Sequence, residues 1–337
     1  MNLKKTVIIA CASTAMICSA IALSMWLTKE REMEMKVSNP KQDGLSQEQT
    51  KVFGEGENTP LYYDDEEILL LPVRNVAQGL GGTVSWEKES NDVTIGYKGK
   101  TLVIEAGTTE AEMHGYNITM TEEPQMINGC LYIEASIISD FFSTDVLWDS
   151  ARRQISLKSK GNSMPIVASD VYIGKNDTKE YNLEIPVIMG LNDTNFEKGL
   201  NKEIRVEIQA LADEFMSQEG EGVFQLQFEK GFINSDFVSI CWKGTREDQP
   251  FFQTLNIDLR EQRRITISDV LTEEGMKELK EQGDLTENSL FYITSRNELA
   301  IFDASKEGAI TVLFPADGAL LGKQWKPKYQ ALFPGII

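Results

Sequence analysis

The chain has 337 residues, 33 Lys and Arg against 52 Asp and Glu, and a net charge of −19. That balance argues against a nucleic-acid partner, whose phosphates need clustered Lys and Arg. One histidine and four cysteines leave few side chains for metal or nucleophile chemistry.

Met1 to Lys5 (MNLKK) is followed by 22 uncharged residues, Thr6–Leu27. That is long enough to cross a hydrocarbon layer of about 30 Å as a helix. Lys4 and Lys5 place the N-terminus in the cytoplasm and the rest of the chain outside, so an N-terminal transmembrane signal-anchor over 1–28 is expected. A signal peptide cleaved after Ser19-Ala20-Ile21-Ala22 is the alternative. Cys11 and Cys18 fall inside this segment. Cys130 and Cys241 fall in different expected domains, which favours two buried thiols over a disulfide. Residues 29–60 are polar and aperiodic, broken by Asn39-Pro40 and Asp43-Gly44, and read as a flexible linker.

An internal repeat follows over 61–160. The run from Leu69 is echoed from Cys130 at an offset of 62, so that Trp86 maps to Trp148, Val84 to Val146 and Ile95 to Leu157. Each copy reads as a strand, a two-turn helix (Arg74 to Leu80; Ala135 to Phe142) and a hairpin. Gly81 and Gly82 end the first helix. A tryptophan at the same place in both copies is expected in the core, although sugar stacking is the functional alternative. His114 precedes Gly115 and is expected as a solvated turn residue. The run Asp64-Asp65-Glu66-Glu67 reads as a solvated turn, with weak calcium binding as the alternative.

After the breaker Gly161 to Pro165, residues 165–337 suggest a second domain. Thr194 to Glu197 reads as a capping box opening a helix whose Phe196, Leu200, Ile204, Ile208, Leu211 and Phe215 form one apolar stripe. Strands follow at Val223 to Glu229, Phe237 to Trp242 and Thr254 to Arg260, then a helix over Ser268 to Gln282. Three more strands are expected, at Leu290 to Thr294, Leu299 to Phe302 and Ile310 to Phe314. The fold class expected is α+β: the transmembrane helix, two strand-helix-hairpin units, and an antiparallel sheet packed by one long helix.

Leu71-Pro72-Val73-Arg74, Val76-Ala77, Leu80-Gly81, Val84-Ser85-Trp86 and Glu105-Ala106-Gly107-Thr108 resemble the copper amine oxidase N-terminal-like domain, a repeat module of Gram-positive surface proteins. The second copy departs from the pattern, with Leu131-Tyr132-Ile133-Glu134 in place of Val-Pro-x-Arg. Copper chemistry is not implied, because an oxidase needs three histidine ligands and a quinone-forming tyrosine. The segment Ile185 to Ile204, with Thr254 to Leu259 and Ile265 to Leu271, resembles domains of a lysozyme-sensing anti-sigma factor and a peptidoglycan deacetylase. That resemblance implies an envelope role with a wall glycan or a wall-acting protein, such as a lysozyme, as partner. It carries over neither the sigma-binding domain nor the deacetylase metal ligands.

The functional expectation is a membrane-anchored, extracytoplasmic binding or sensing protein, with no catalytic residue, cofactor or metal assigned. The alternatives are a glycan-processing enzyme and a wall spacer. The candidate ligand-binding residues are Lys323, Trp325, Lys326, Lys328 and Tyr329, three lysines and two aromatics within seven residues of an acidic chain. Rings stack on sugar faces while ammonium groups meet phosphates or carboxylates. The alternative is that the two aromatics cap the core.

Overall fold

A computed structural model describes residues 50–53, 59–63, 68–160, 164–282, 289–296, 298–303, 310–314 and 326. The expected membrane segment Thr6–Leu27, most of the linker and the acidic run Asp64 to Glu67 lie outside the described residues. Among the described residues no helix is long and apolar enough to cross a membrane. The expected α+β class is corrected: the described residues are mostly β, with 21 strands in five sheets against five helices.

The first repeat contributes β3 (Ile68–Pro72), α1 (Val73–Gly79), β4 (Thr83–Glu87) and β5 (Asp92–Tyr97). The second contributes β10 (Cys130–Glu134), α2 (Ala135–Phe142), β11 (Thr144–Asp149) and β12 (Gln154–Ser159). β3 and β10 pair antiparallel with Leu71 opposite Ile133, flanked by Pro72 opposite Tyr132 and Leu70 opposite Glu134. Leu71 and Ile133 are equivalent residues of the two copies, so a pseudo-twofold axis passes between them. On either side lie β2 (Leu61–Tyr63) and β9 (Gln125–Ile127), giving the order β2-β3-β10-β9. Each hairpin gains outer strands. β5 pairs with β6 (Lys100–Glu105), followed by β7 (Glu110–Met113) and β8 (Tyr116–Thr119), whereas β12 pairs with β1 (Thr50–Phe53). Thr50–Phe53, expected in the linker, is therefore a strand of the repeat unit.

The helix ends differ between copies. Gly81 takes a φ of +88°, and the Gly82 N–H reaches the Ala77 carbonyl at 2.8 Å, closing α1 with a glycine-based cap. The second copy closes α2 with Ser143 in the left-handed region. Leu71, Val76, Ile95, Ile133, Ile138 and Leu157 then bury a core shared by both copies.

Two expectations about this unit are corrected. Trp148 packs partly buried against the core and lies against Tyr62, ring centres 5.9 Å apart. Trp86, by contrast, is 45% exposed. β4 is the edge of its sheet, and Trp86 sits beside the hairpin turn, where the core ends.

His114 does occupy the turn between β7 and β8, with φ values of 55° at His114 and 85° at Gly115, but it is not solvated. Its ring stacks on Phe141 with centres 5.5 Å apart, and both ring nitrogens are buried without a hydrogen-bond partner. Burial, and then the charge of Lys100, lower its pKa from 6.5 to about 4. The unfolded chain therefore binds this proton more readily than the folded one, so stability is complete above pH 6.5 and falls as pH drops towards 4. His114→Asn, which tolerates the left-handed backbone, is expected to flatten the melting temperature between pH 6.5 and 5.5. An unchanged slope there would show that His114 takes up its proton equally well in the folded and the unfolded chain.

The second unit begins with β13 (Ile166–Lys175) and β14 (Lys179–Met189), then α3 (Thr194–Ser217), β15 (Gly222–Ile233), β16 (Phe237–Arg246), β17 (Gln249–Asp258) and β18 (Arg263–Arg264). The strands form one sheet in chain order. It is not wholly antiparallel: β14 and β15 run parallel from Lys179 opposite Gly222 to Leu183 opposite Leu226. The cause is the connection, since α3, 24 residues long, returns the chain across the sheet before β15 begins.

α3 starts one residue earlier than its expected capping box. Asp193 is the N-cap and accepts from the Asn195 and Phe196 N–H groups at 2.9 and 3.0 Å, whereas Glu197 reaches back to the Leu191 N–H. Leu200, Ile204, Ile208 and Phe215 are buried against the sheet, with Phe196 and Leu211 partly so. At the other end the buried Lys179 ammonium donates to the Phe215 carbonyl at 2.6 Å, placing a cation on the negative pole of the helix.

The other face of the sheet is covered as well. α4 (Ile267–Val270), α5 (Glu273–Gln282), β19 (Ser289–Ile293), β20 (Leu299–Asp303) and β21 (Ile310–Phe314) follow. β19 to β21 form a three-stranded sheet, and Phe291, Ile293, Leu299 and Ile301 pack with Phe237 of β16. Phe237 to Lys243 is accordingly buried at every position, as a strand covered on both faces requires. Ser239 donates to Asn256 Oδ1 at 2.7 Å, Asn256 Nδ2 donates to the Phe291 carbonyl at 2.7 Å, and the Ile293 N–H donates to Ser239 Oγ at 2.8 Å. These bonds tie β19 to the larger sheet. Cys130 and Cys241 are free and buried, and burial pushes both thiols above the ordinary range.

The two units share packing. Ile166, Ala168, Val187 and Met189 join the core of the repeat unit, and Tyr116 OH donates to Glu197 Oε1 at 3.0 Å. Thr119 donates to Asp170, which pairs with Arg205 of α3.

Candidate binding cleft

The short helices α4 and α5 begin from a cap that the sequence carries in Thr266 to Asp269. Thr266 N–H donates to Asp269 Oδ2 at 2.8 Å and Arg263 Nη2 donates to Asp269 Oδ1 at 3.1 Å. Burial raises the Asp269 carboxyl, but these bonds outweigh it and hold the group below the usual carboxylate range. Val270, Leu271 and Leu279 are buried beneath, which presses both helices onto the second layer.

Leu271 ends α4 in an extended conformation. The resulting bend opens a cleft of about 590 Å³ between the two helices. Met276, partly buried, gives it an apolar patch above the buried Leu271, while Lys277, Lys280 and Lys326, with Glu273 and Glu281, give it a charged rim. Lys277 and Lys280 share a face of α5 because they are three residues apart. Lys277 lies 3.7 Å from Glu281, an exposed pair worth little energetically.

Lys326 is the only expected site residue among the described residues; Lys323, Trp325, Lys328 and Tyr329 lie outside them. It is held in place from both ends. Its backbone N–H donates to the Val270 carbonyl at 2.8 Å and its ammonium donates to the Ser268 carbonyl at 2.7 Å. One of its three donors is thus used, and two remain for a ligand.

Sequence reasoning missed the partners of Lys326. Lys277 and Lys280 were legible as neighbours on one helix face, but nothing in the sequence said that this face turns towards residue 326. The cleft holds ammonium donors and an apolar patch, which suits capture of an anion on a partly apolar body. Among the described residues no group of three or more His, Cys, Asp or Glu is placed to hold a metal ion.

A search of curated proteins gives no match. Among solved structures, the chain is similar to a DUF3298 family protein from Pseudomonas aeruginosa at 11% identity, with 48% of this chain and 94% of that chain covered and a TM-score of 0.31. It is also similar to a DUF3298 family member from Bacteroides fragilis at 10% identity, with 36% and 67% covered and a TM-score of 0.26. Residues 50–157, the segment from the start of β1 to the body of β12, match the family model for the copper amine oxidase N-terminal domain.

Proposed function

We propose that the protein is a binding protein of the bacterial cell envelope, held at the membrane through residues 6–27 and facing outward, which recognises a wall glycan carrying phosphate or carboxylate groups. The observation that carries this reading is the gathering of Lys277, Lys280 and Lys326 around one cleft with an apolar patch. A wall glycan offers both halves of the match, anionic groups for the ammonium donors and C–H surface for Met276. The resemblance of Ile185 to Ile204, Thr254 to Leu259 and Ile265 to Leu271 to domains of wall-sensing and wall-modifying proteins supports the same setting.

Lys277→Gln combined with Lys280→Gln is expected to weaken binding to anionic wall polymer roughly tenfold at low salt, since it removes two of the three rim cations. Stability should change by less than about 0.5 kcal/mol, because both side chains line an open rim. Sedimentation with insoluble wall material reads the affinity, and thermal melting reads the stability. Binding equal to that of the wild type would remove the cleft from consideration.

The net charge of −19 favours a second reading, in which a cationic wall-acting protein such as a lysozyme is the partner. Binding of that kind would survive the double lysine variant unchanged.

A further inference from the structure

We infer a second ligand site on the repeat unit, in which Trp86 and Met126 form an open platform for the face of a neutral sugar ring. It is independent of the lysine cleft. The inference rests on the pseudo-twofold axis and on where its symmetry fails.

β2 pairs with β3 through Tyr62 opposite Leu69, and β9 pairs with β10 through Met126 opposite Leu131. Leu69 and Leu131 are equivalent at the offset of 62, so Met126 stands in the first copy where Tyr62 stands in the second. Trp86 and Trp148 are equivalent by the same offset. In the second copy the site is closed, with the Tyr62 ring tilted at 33° against the Trp148 ring, centres 5.9 Å apart, and Trp148 packed on the core. In the first copy both members are open, Trp86 at 45% and Met126 at 43% exposure.

The closed copy shows what the open one accommodates. Tyr62 offers a six-membered ring with apolar faces and a hydroxyl at its edge, and a pyranose has the same outline, with C–H faces and a hydroxyl rim. Indole faces take such rings through dispersion and C–H contacts, and the thioether of methionine adapts to an irregular flank. Beside the platform the hairpin residues Glu87, Lys88, Glu89 and Ser90 are exposed. They supply carboxylate, ammonium and hydroxyl groups of both signs, which suits hydroxyl partners and gives no preference for a charged ligand.

The test uses the full-length chain and the tetramer of N-acetylglucosamine, with cellotetraose as a second neutral probe, titrated by calorimetry. The wild type is expected to bind at least one of them saturably. Trp86→Ala should weaken that binding at least tenfold, and Trp86→Phe should retain it within a few-fold. Met126→Tyr rebuilds the closed arrangement of the other copy, so it should abolish binding while leaving the melting temperature equal or higher. The double lysine variant should bind these probes as the wild type does, which separates this site from the cleft. The inference is overturned if the wild type binds neither probe, or if either Trp86→Ala or Met126→Tyr binds as the wild type does. It is equally overturned if sedimentation shows that the Trp86 variants change only the oligomeric state, which would make the platform a contact between copies.

Discussion

Replacing Trp242 by alanine is expected to cost about 3 to 5 kcal/mol. The side chain is 1% exposed and lies in the core between the large sheet and α3, with Val238, Ile240 and Phe215. Its Nε1 donates to the Glu184 carbonyl at 3.0 Å, so the ring also links β16 to β14 beneath the intervening β15. Alanine would leave a cavity among residues that α3 and the sheet hold apart, and it would remove that hydrogen bond. Trp242→Phe keeps most of the volume and should cost about 1 to 2 kcal/mol. Urea denaturation should show a lower midpoint with an unchanged slope, as a loss of stability without a change in denatured-state compactness requires. A midpoint within error of the wild type would mean that this core is not packed as described.

The second large effect is expected at Gly231, where β15 carries an irregularity in its pairing with β16. A Cβ built at Gly231 would lie 2.2 Å from the Ile293 carbonyl oxygen and 2.9 Å from that of Ser239. Both obstacles are backbone, so no side chain can swing aside. Gly231→Ala must therefore push β19 away from the larger sheet and stretch the bonds from Ser239 and Asn256 to it. The expected cost is about 3 kcal/mol or more, at the upper end for overpacking. Hydrogen exchange should localise the damage, with residues 289–303 exchanging faster while β13 and β14 keep most of their protection. A variant that melts with the wild type would contradict the docking of the second layer.

The contrast between these sites and the ones legible in the sequence has a physical basis. The repeat was visible because its two copies share a spacing of 62 residues, and the α3 stripe was visible because period 3.6 survives without tertiary context. The pairing of β3 with β10 was not visible, since strand partners at long range leave no local pattern. Phe237 to Trp242 was expected in a sheet packed by one helix, although its small Ser239 and Cys241 point to a second buried face rather than to solvent. The parallel β14–β15 pair followed from the length of α3, a clue present in the sequence but unused. Trp86 and His114 were misplaced for opposite reasons. An edge strand left the apolar residue open, while the turn that displays His114 folds it onto Phe141. At the candidate cleft, lysine spacing marked one helix face, but its meeting with Lys326 depends on the bend at Leu271.

The most direct measurement compares the binding of the full-length protein to two preparations of the same insoluble peptidoglycan, one retaining its covalently attached anionic polymer and one stripped of it, at equal ionic strength. Recognition through the lysine cleft predicts saturable binding to the first and at least tenfold weaker binding to the second. Equal binding to both preparations by the Trp86→Ala variant, which lacks the sugar platform, or binding to neither, would contradict it.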